Sequence, residues 1–208
     1  MPMTTRDSEV RASLMKNVIS DHIANPDTLV VEELGLNRGS CRVDVAVVNG
    51  LLHGYEIKSD ADTLARLPSQ VVSYSAVLDK ATLVVGVSHL ERAMPLIPEW
   101  WGIRVVTTGA RGAVLIEPMR PARMNDGIEA SALALLLWRD ELVAALASLD
   151  IQKSKLRAPR AQLAQTLADV LPLKHLRPMV REQVKRRTGW RCHVPRQQHD
   201  ETLSPLAK

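Results

Sequence analysis

The sequence predicts an α/β fold: a mixed sheet flanked by helices, followed by a helical, basic C-terminal region. Three observations carry this. Up to about residue 118, short β-type apolar runs alternate with helix-type runs in the order α-β-β-β-α-β-α-β-β. Beyond Pro118 the strand-type runs stop and helical spacing takes over. Charge divides along the same line. Residues 151–208 hold 13 Lys and Arg against 4 Asp and Glu, whereas the preceding residues hold 14 against 19.

Each element follows from local pattern. Val10, Leu14, Val18 and Ile19 recur at helical spacing, so one helix is expected over 7–24, capped by Asp7 or Thr5 and broken at Asn25-Pro26-Asp27. "TLVVEELGL" (28–36) reads as a strand and "NRGS" as a turn. "RVDVAVV" (42–48), Asn49-Gly50 and "LLHGYEIK" (51–58) form a hairpin signal. Residues 61–79 read as a helix in two pieces, with Pro68 in the first turn of the second, where its missing N–H does no harm. "TLVVGV" (82–87) is an unbroken apolar run, the mark of a strand buried on both faces. A short helix covers about 89–97. "IRVVTT" and "AVLIEP" are strands joined by the turn "GARG".

"PMRPARMNDG" then reads as a linker, which divides the chain into 1–120 and 121–208. Residues 129–149 carry the strongest helical pattern in the chain. "DIQKSKLRAPR" is a basic loop. Two helices follow around Pro172, and Pro178 is expected to break or kink the second one early.

Composition narrows the class. Four Trp, two Tyr and no Phe leave the core to aliphatic residues. Two cysteines, Cys41 and Cys192, make no disulfide framework and point to a reducing compartment. Cys192-His193 with His199 is half a zinc site and reads as ordinary sequence. No apolar run reaches the length of a membrane span and no signal-peptide core opens the chain, so a cytoplasmic location and no membrane partner are expected.

One position breaks the apolar pattern. Asp44 stands among Val43, Val45, Val47 and Val48, where an unpaired carboxylate is costly, so it needs a cation or a metal. Register decides what it meets. A two-residue Asn-Gly turn pairs 48 with 51 and sends Asp44 and Glu56 to opposite faces. A three-residue loop or one bulge pairs 48 with 52 and brings Asp44, Glu56 and Lys58 to one face. Two carboxylates suit Mg²⁺ or Mn²⁺, and a lysine beside them suits the charge that develops in phosphodiester hydrolysis.

Asp44 and Glu56-Ile57-Lys58 on a hairpin, in an αβββαβ order, resemble the PD-(D/E)XK nuclease superfamily. Gln70 and Tyr74, one helical turn apart, resemble the Q-x3-Y element of its RecB-like branch. The stretch "GYEIKSDADTLARLPSQVVSY" also resembles a small bacterial family within that superfamily. The likeness covers residues 1 to about 120 and implies a restriction-endonuclease-like core. It implies a metal-dependent nuclease acting on DNA. Asp44 and Glu56 would hold Mg²⁺ or Mn²⁺, helped by Glu33 and the backbone carbonyl of Ile57. Glu32 is the alternative to Glu33, with Glu9 and Asp21 behind them. Lys58 would position or activate the attacking water, and Gln70 and Tyr74 would orient the substrate or Lys58.

Outside that constellation, Arg66 is a candidate phosphate contact, and so are Lys185, Arg186, Arg187 and Arg191 around Trp190. The C-terminal helices read as a helix-turn-helix-like DNA contact, a homodimer surface or a lid. The other reading keeps the fold without catalysis, as a protein that binds nucleic acid or a partner protein.

Overall fold

The computed structural model describes residues 4–188. Its centre is one six-stranded sheet in sequence order: β1 (Leu29–Leu36), β2 (Cys41–Val48), β3 (Leu52–Lys58), β4 (Lys80–Gly86), β5 (Gly102–Thr108) and β6 (Val114–Arg120). β1–β2, β2–β3 and β5–β6 are antiparallel, and β3–β4 and β4–β5 are parallel. The parallel steps are bridged by α3 (Leu67–Ser75) and α4 (Leu90–Ala93). The mixed sheet with flanking helices is therefore present, as is a helical C-terminal region.

Two apolar clusters sandwich the sheet. Val10, Leu14 and Ile19, from α1 (Asp7–Asn17) and the bend after it, pack on Val45, Val47, Tyr55, Ile57, Val84 and Val106. The other cluster joins Ala46, Val48, Leu83, Val85 and Ile103 to α3 and to the C-terminal helices. Those helices are α5 (Ala130–Ala134), α6 (Arg139–Ser148), α7 (Arg160–Val170) and α8 (Leu173–Arg186). The linker between β6 and α5 is pinned by a buried Asn125. Its side-chain amide donates to the Ser75 and Leu78 carbonyls at 2.7 and 2.8 Å, and its N–H donates to the Asp79 carbonyl at 2.9 Å.

Four helical expectations need correction. The helix expected over 7–24 splits into α1 and α2 (Ser20–Ala24), and the chain bends so that Ile19 drops into the core. Its first cap is Glu9, whose carboxylate accepts the Arg6 N–H at 2.9 Å. The expected helical piece before Pro68 is instead a run of turns. Asp62 accepts the Ser59 N–H and hydroxyl there, at 2.8 and 2.6 Å.

The helix expected over 129–149 breaks between Leu135 and Trp138. "LALLLW" is too apolar for one stripe, and the break lets Leu133, Leu136 and Leu137 all be buried. Finally, Pro178 does not end α8. Leu176, Val180 and Val184 form one buried row on either side of it, and that row outweighs one missing backbone bond.

Candidate functional site

The β2–β3 connection settles the register. Val48 pairs with Leu52, so Asn49, Gly50 and Leu51 form a three-residue loop. The Asn49 carboxamide oxygen accepts the Leu51 N–H at 3.0 Å and closes it. The ladder then runs from Val48 to Val45 and stops. Beyond it the strands diverge: Val43 joins the C-terminal-helix core while Val45 stays on the α1 side. The Ile57 N–H, beyond the end of the β2–β3 ladder, donates to the Asp44 carboxylate at 2.7 Å. The divergence opens a pocket of about 550 Å³, and Asp44, Glu56, Ile57 and Lys58 all line it.

Glu56 and Lys58 are both almost wholly buried, at 1% and 4% exposure. The Lys58 Nζ lies 2.5 Å from Glu56 Oε1. The other Glu56 oxygen takes the Tyr74 hydroxyl, which also lies 2.9 Å from the Arg42 carbonyl oxygen. Tyr74 is fully buried and stacks on Trp101, with centroids 5.4 Å apart. Burial, and then the Glu56 and Asp44 charges, hold its phenol well above the usual tyrosine range.

Asp44 faces a residue that sequence reasoning missed. Arg11, on α1, donates from Nη1 to the Asp44 carbonyl at 2.8 Å, and its Nη2 lies 3.6 Å from the Asp44 carboxylate. The same guanidinium reaches Asp7 at 3.2 Å, Glu32 at 3.5 Å and Glu33 at 3.4 Å. Glu33 reaches it from a strained backbone. Its φ is +58°, a left-handed conformation costing roughly 1–2 kcal/mol for a residue with a Cβ. The kink lets successive residues, Glu32 and Glu33, both turn to one cation. The only sequence signal for Arg11 was the Asp7–Arg11 spacing of four, which reads as an ordinary helix pair. Burial opposes the Arg11 charge, yet Asp7, Asp44 and Glu33 prevail and raise its pKa. Asp44 goes the other way: burial and then the Glu56 charge push it up to about 7, against the Ile57 N–H, Arg11 and Lys58.

This donor set does not fit Mg²⁺ or Mn²⁺ as arranged. Both Glu56 oxygens are engaged by Lys58 and Tyr74, and Asp44 is shared between the Ile57 N–H and Arg11. Among the described residues, no three His, Cys, Asp or Glu side chains gather to hold a metal. The cation between Asp44, Glu32 and Glu33 is Arg11.

The remaining candidates fall in different places. Gln70 lines the pocket, and its buried carboxamide oxygen has no hydrogen-bond partner among the described residues. Arg66 lies exposed at the rim. Lys185, Arg186 and Arg187 do not line the pocket. Lys185 bonds Glu182, Arg186 is exposed, and Arg187 pairs with Glu141 while its guanidinium lies 4.4 Å from the Trp138 ring centroid. Arg191 and Trp190 lie outside the described residues.

Comparison with known proteins then corrects the functional expectation. The sequence profile of the family described as Bacteriophage P4 protein cII matches residues 1–202. A curated relative, "Protein cII" of Enterobacteria phage P4, is 33% identical over 79 residues, which cover 38% of this chain and 30% of the relative. The match thus spans about 30% of the relative's own length. No solved structure matches. Neither match is to a PD-(D/E)XK nuclease, so membership of that superfamily, and the nuclease and hydrolase function drawn from it, is overturned. Of the E-x-K and Q-x3-Y residues, Glu56, Lys58 and Gln70 line the pocket and Tyr74 reaches it through Glu56, but the family drawn from these patterns is wrong. The chain belongs to the bacteriophage P4 protein cII family.

Proposed function

We propose that this protein binds nucleic acid without cutting it, through the phosphate backbone and from its C-terminal helical region. One observation carries the reading. The carboxylates of the acid pocket pair within the chain with Arg11 and Lys58, whereas the basic loop 152–157 and Arg139 of the C-terminal region display their cations to solvent. Arg139, Lys153, Lys155 and Arg157 are exposed, and Arg139 donates to the Leu156 carbonyl at 3.3 Å, which draws the basic loop against the start of α6. Beside them Trp138 is 53% exposed under the Arg187 guanidinium. Exposed cations around an exposed indole suit phosphates and an unstacked base.

The test is fluorescence anisotropy with a labelled DNA duplex across a salt series. Binding should weaken steeply as salt rises, and the Lys153→Glu/Lys155→Glu/Arg157→Glu variant should lose affinity and lower the salt slope by about one per phosphate contact removed. Glu56→Gln should bind as the wild type does. Absence of binding at low salt, or binding indifferent to salt and to the triple variant, would reject the reading.

A further inference from the structure

A second cavity lies toward the opposite end of β3 from the acid pocket, lined by His53 and Tyr55 where the acid pocket is lined by Glu56, Ile57 and Lys58. α1 and α2 cover only part of their face of the sheet, and the uncovered part is floored by His53, Tyr55 and Thr82. The cavity measures about 390 Å³, within the usual range for small-molecule sites. Its polar lining is one-sided. Lys80, Arg104 and Arg120 contribute three cations, and no Asp or Glu lines it. Neither Lys80 nor Arg104 joins an ion pair among the described residues.

Three features show that this is a built concavity and not a chance gap. The strand register sets His53 beside Lys80 and Tyr55 beside Thr82. Arg120 is fixed by donating to the Trp101 and Pro98 carbonyls at 2.8 and 3.1 Å. The linker closes one wall against Gly102: a Cβ there would lie 2.9 Å from both the Ala122 nitrogen and the Thr82 hydroxyl.

The floor is matched to an anion. His53 Nε2 lies 2.9 Å from the Thr82 hydroxyl, and its ring stacks on Tyr55 at 4.4 Å. Burial and then Lys80, His22 and Arg104 push the imidazole down to about 3, so it stays neutral among cations that have gathered without acids. Such a concentration of like charge costs stability, and a bound anion relieves it. The rim adds apolar surface from Pro118, Met119 and Pro121.

We propose that this cavity binds a nucleotide, its phosphate held among Lys80, Arg104 and Arg120 and its base against the Pro118–Pro121 rim. The site is independent of the nucleic-acid surface at Trp138 and the basic loop.

Calorimetry on the full chain with AMP, adenosine and inorganic phosphate tests it. AMP should bind, and adenosine should bind at least about 10-fold more weakly, because a charge-assisted phosphate contact is lost. Lys80→Ala and Arg104→Ala should each weaken AMP by about 10-fold. Lys155→Glu should leave AMP binding unchanged. A second readout needs no variant: AMP should shift the His53 ring signals in the NMR spectrum of the wild type. Displacement of AMP by a short 5′-phosphorylated oligonucleotide would make a strand end the source of the phosphate. Failure to displace it would make the source a free nucleotide. Equal affinity for AMP and adenosine, wild-type affinity in both alanine variants, or unmoved His53 signals would each overturn the proposal.

Discussion

The pocket at the open end of β2 and β3 and the surface around Trp138 are both dense in charge, and they handle it in opposite ways. In the pocket, every carboxylate of the expected site meets a cation or donor from its own chain. Lys58 and Tyr74 engage Glu56, and Arg11 gathers Asp7, Glu32, Glu33 and Asp44. In the C-terminal region some cations are equally committed. Arg177 and Arg181 reach the buried Asp79 at 3.5 and 3.3 Å, and Arg187 pairs with Glu141. The loop 152–157 and Arg139 commit none of their charge to a carboxylate among the described residues. Clustered acids therefore need not indicate a metal, because a guanidinium can occupy the place a metal would take. Charge left open to water is the better sign of a partner.

The contrast predicts a ranking of stability effects. The largest belongs to the closed pair. Lys58→Met leaves the buried Glu56 carboxyl without its cation, and should cost about 3–5 kcal/mol, read as a lowered denaturant midpoint. A near-wild-type midpoint would mean the pocket is wetter and looser than its burial indicates.

The next effect is a pH dependence carried by Asp44. Its folded-state pKa is raised to about 7, above the ordinary 3.8, so the folded chain holds an extra proton between those values. Stability from this group is therefore fully present below about pH 4 and declines as pH rises to about 7, by roughly 4 kcal/mol. Asp44→Asn should remove that decline, gaining clearly more on the wild type at pH 8 than at pH 5, relative to about pH 3.5. Parallel pH curves for the two proteins would contradict the assignment.

A third prediction concerns the tie between the C-terminal helices and the sheet. Asp79→Asn removes the charge that Arg177 and Arg181 address, while the Leu52 N–H at 2.8 Å keeps an acceptor. A loss of roughly 1–3 kcal/mol is expected, with earlier proteolysis of α8. The smallest effect lies on the open surface. Lys155→Glu and Arg157→Glu should each change stability by less than about 0.5 kcal/mol, because their charges are exposed. A large loss there would show those cations to be structural.

Much of the sheet was legible in the sequence because strand period and turn length are local. The sequence left two registers open at Asn49-Gly50, and the three-residue loop is the one that accompanies Asp44, Glu56 and Lys58 in one pocket. Gln70 joined them because a four-residue helical step is also local. Arg11 was not legible, since its place depends on how α1 docks on β2, 33 residues away from it at Asp44. The positive φ of Glu33 and the helix breaks at Ile19 and at 135–138 were hidden for the same reason. Each is set by what the core must bury, not by propensity. The family was misread because a few residues at matching positions describe a pocket's shape and not the charge balance within it.

The most direct test puts binding and cleavage in one sample. Wild-type protein is mixed with an end-labelled DNA duplex and Mg²⁺. Anisotropy is followed, and strand length is then read on a denaturing gel, with Glu56→Gln and Lys153→Glu/Lys155→Glu/Arg157→Glu run alongside. The account predicts salt-sensitive binding that only the triple variant loses, and full-length strands throughout. Strands cut by the wild type and left whole by Glu56→Gln would contradict it.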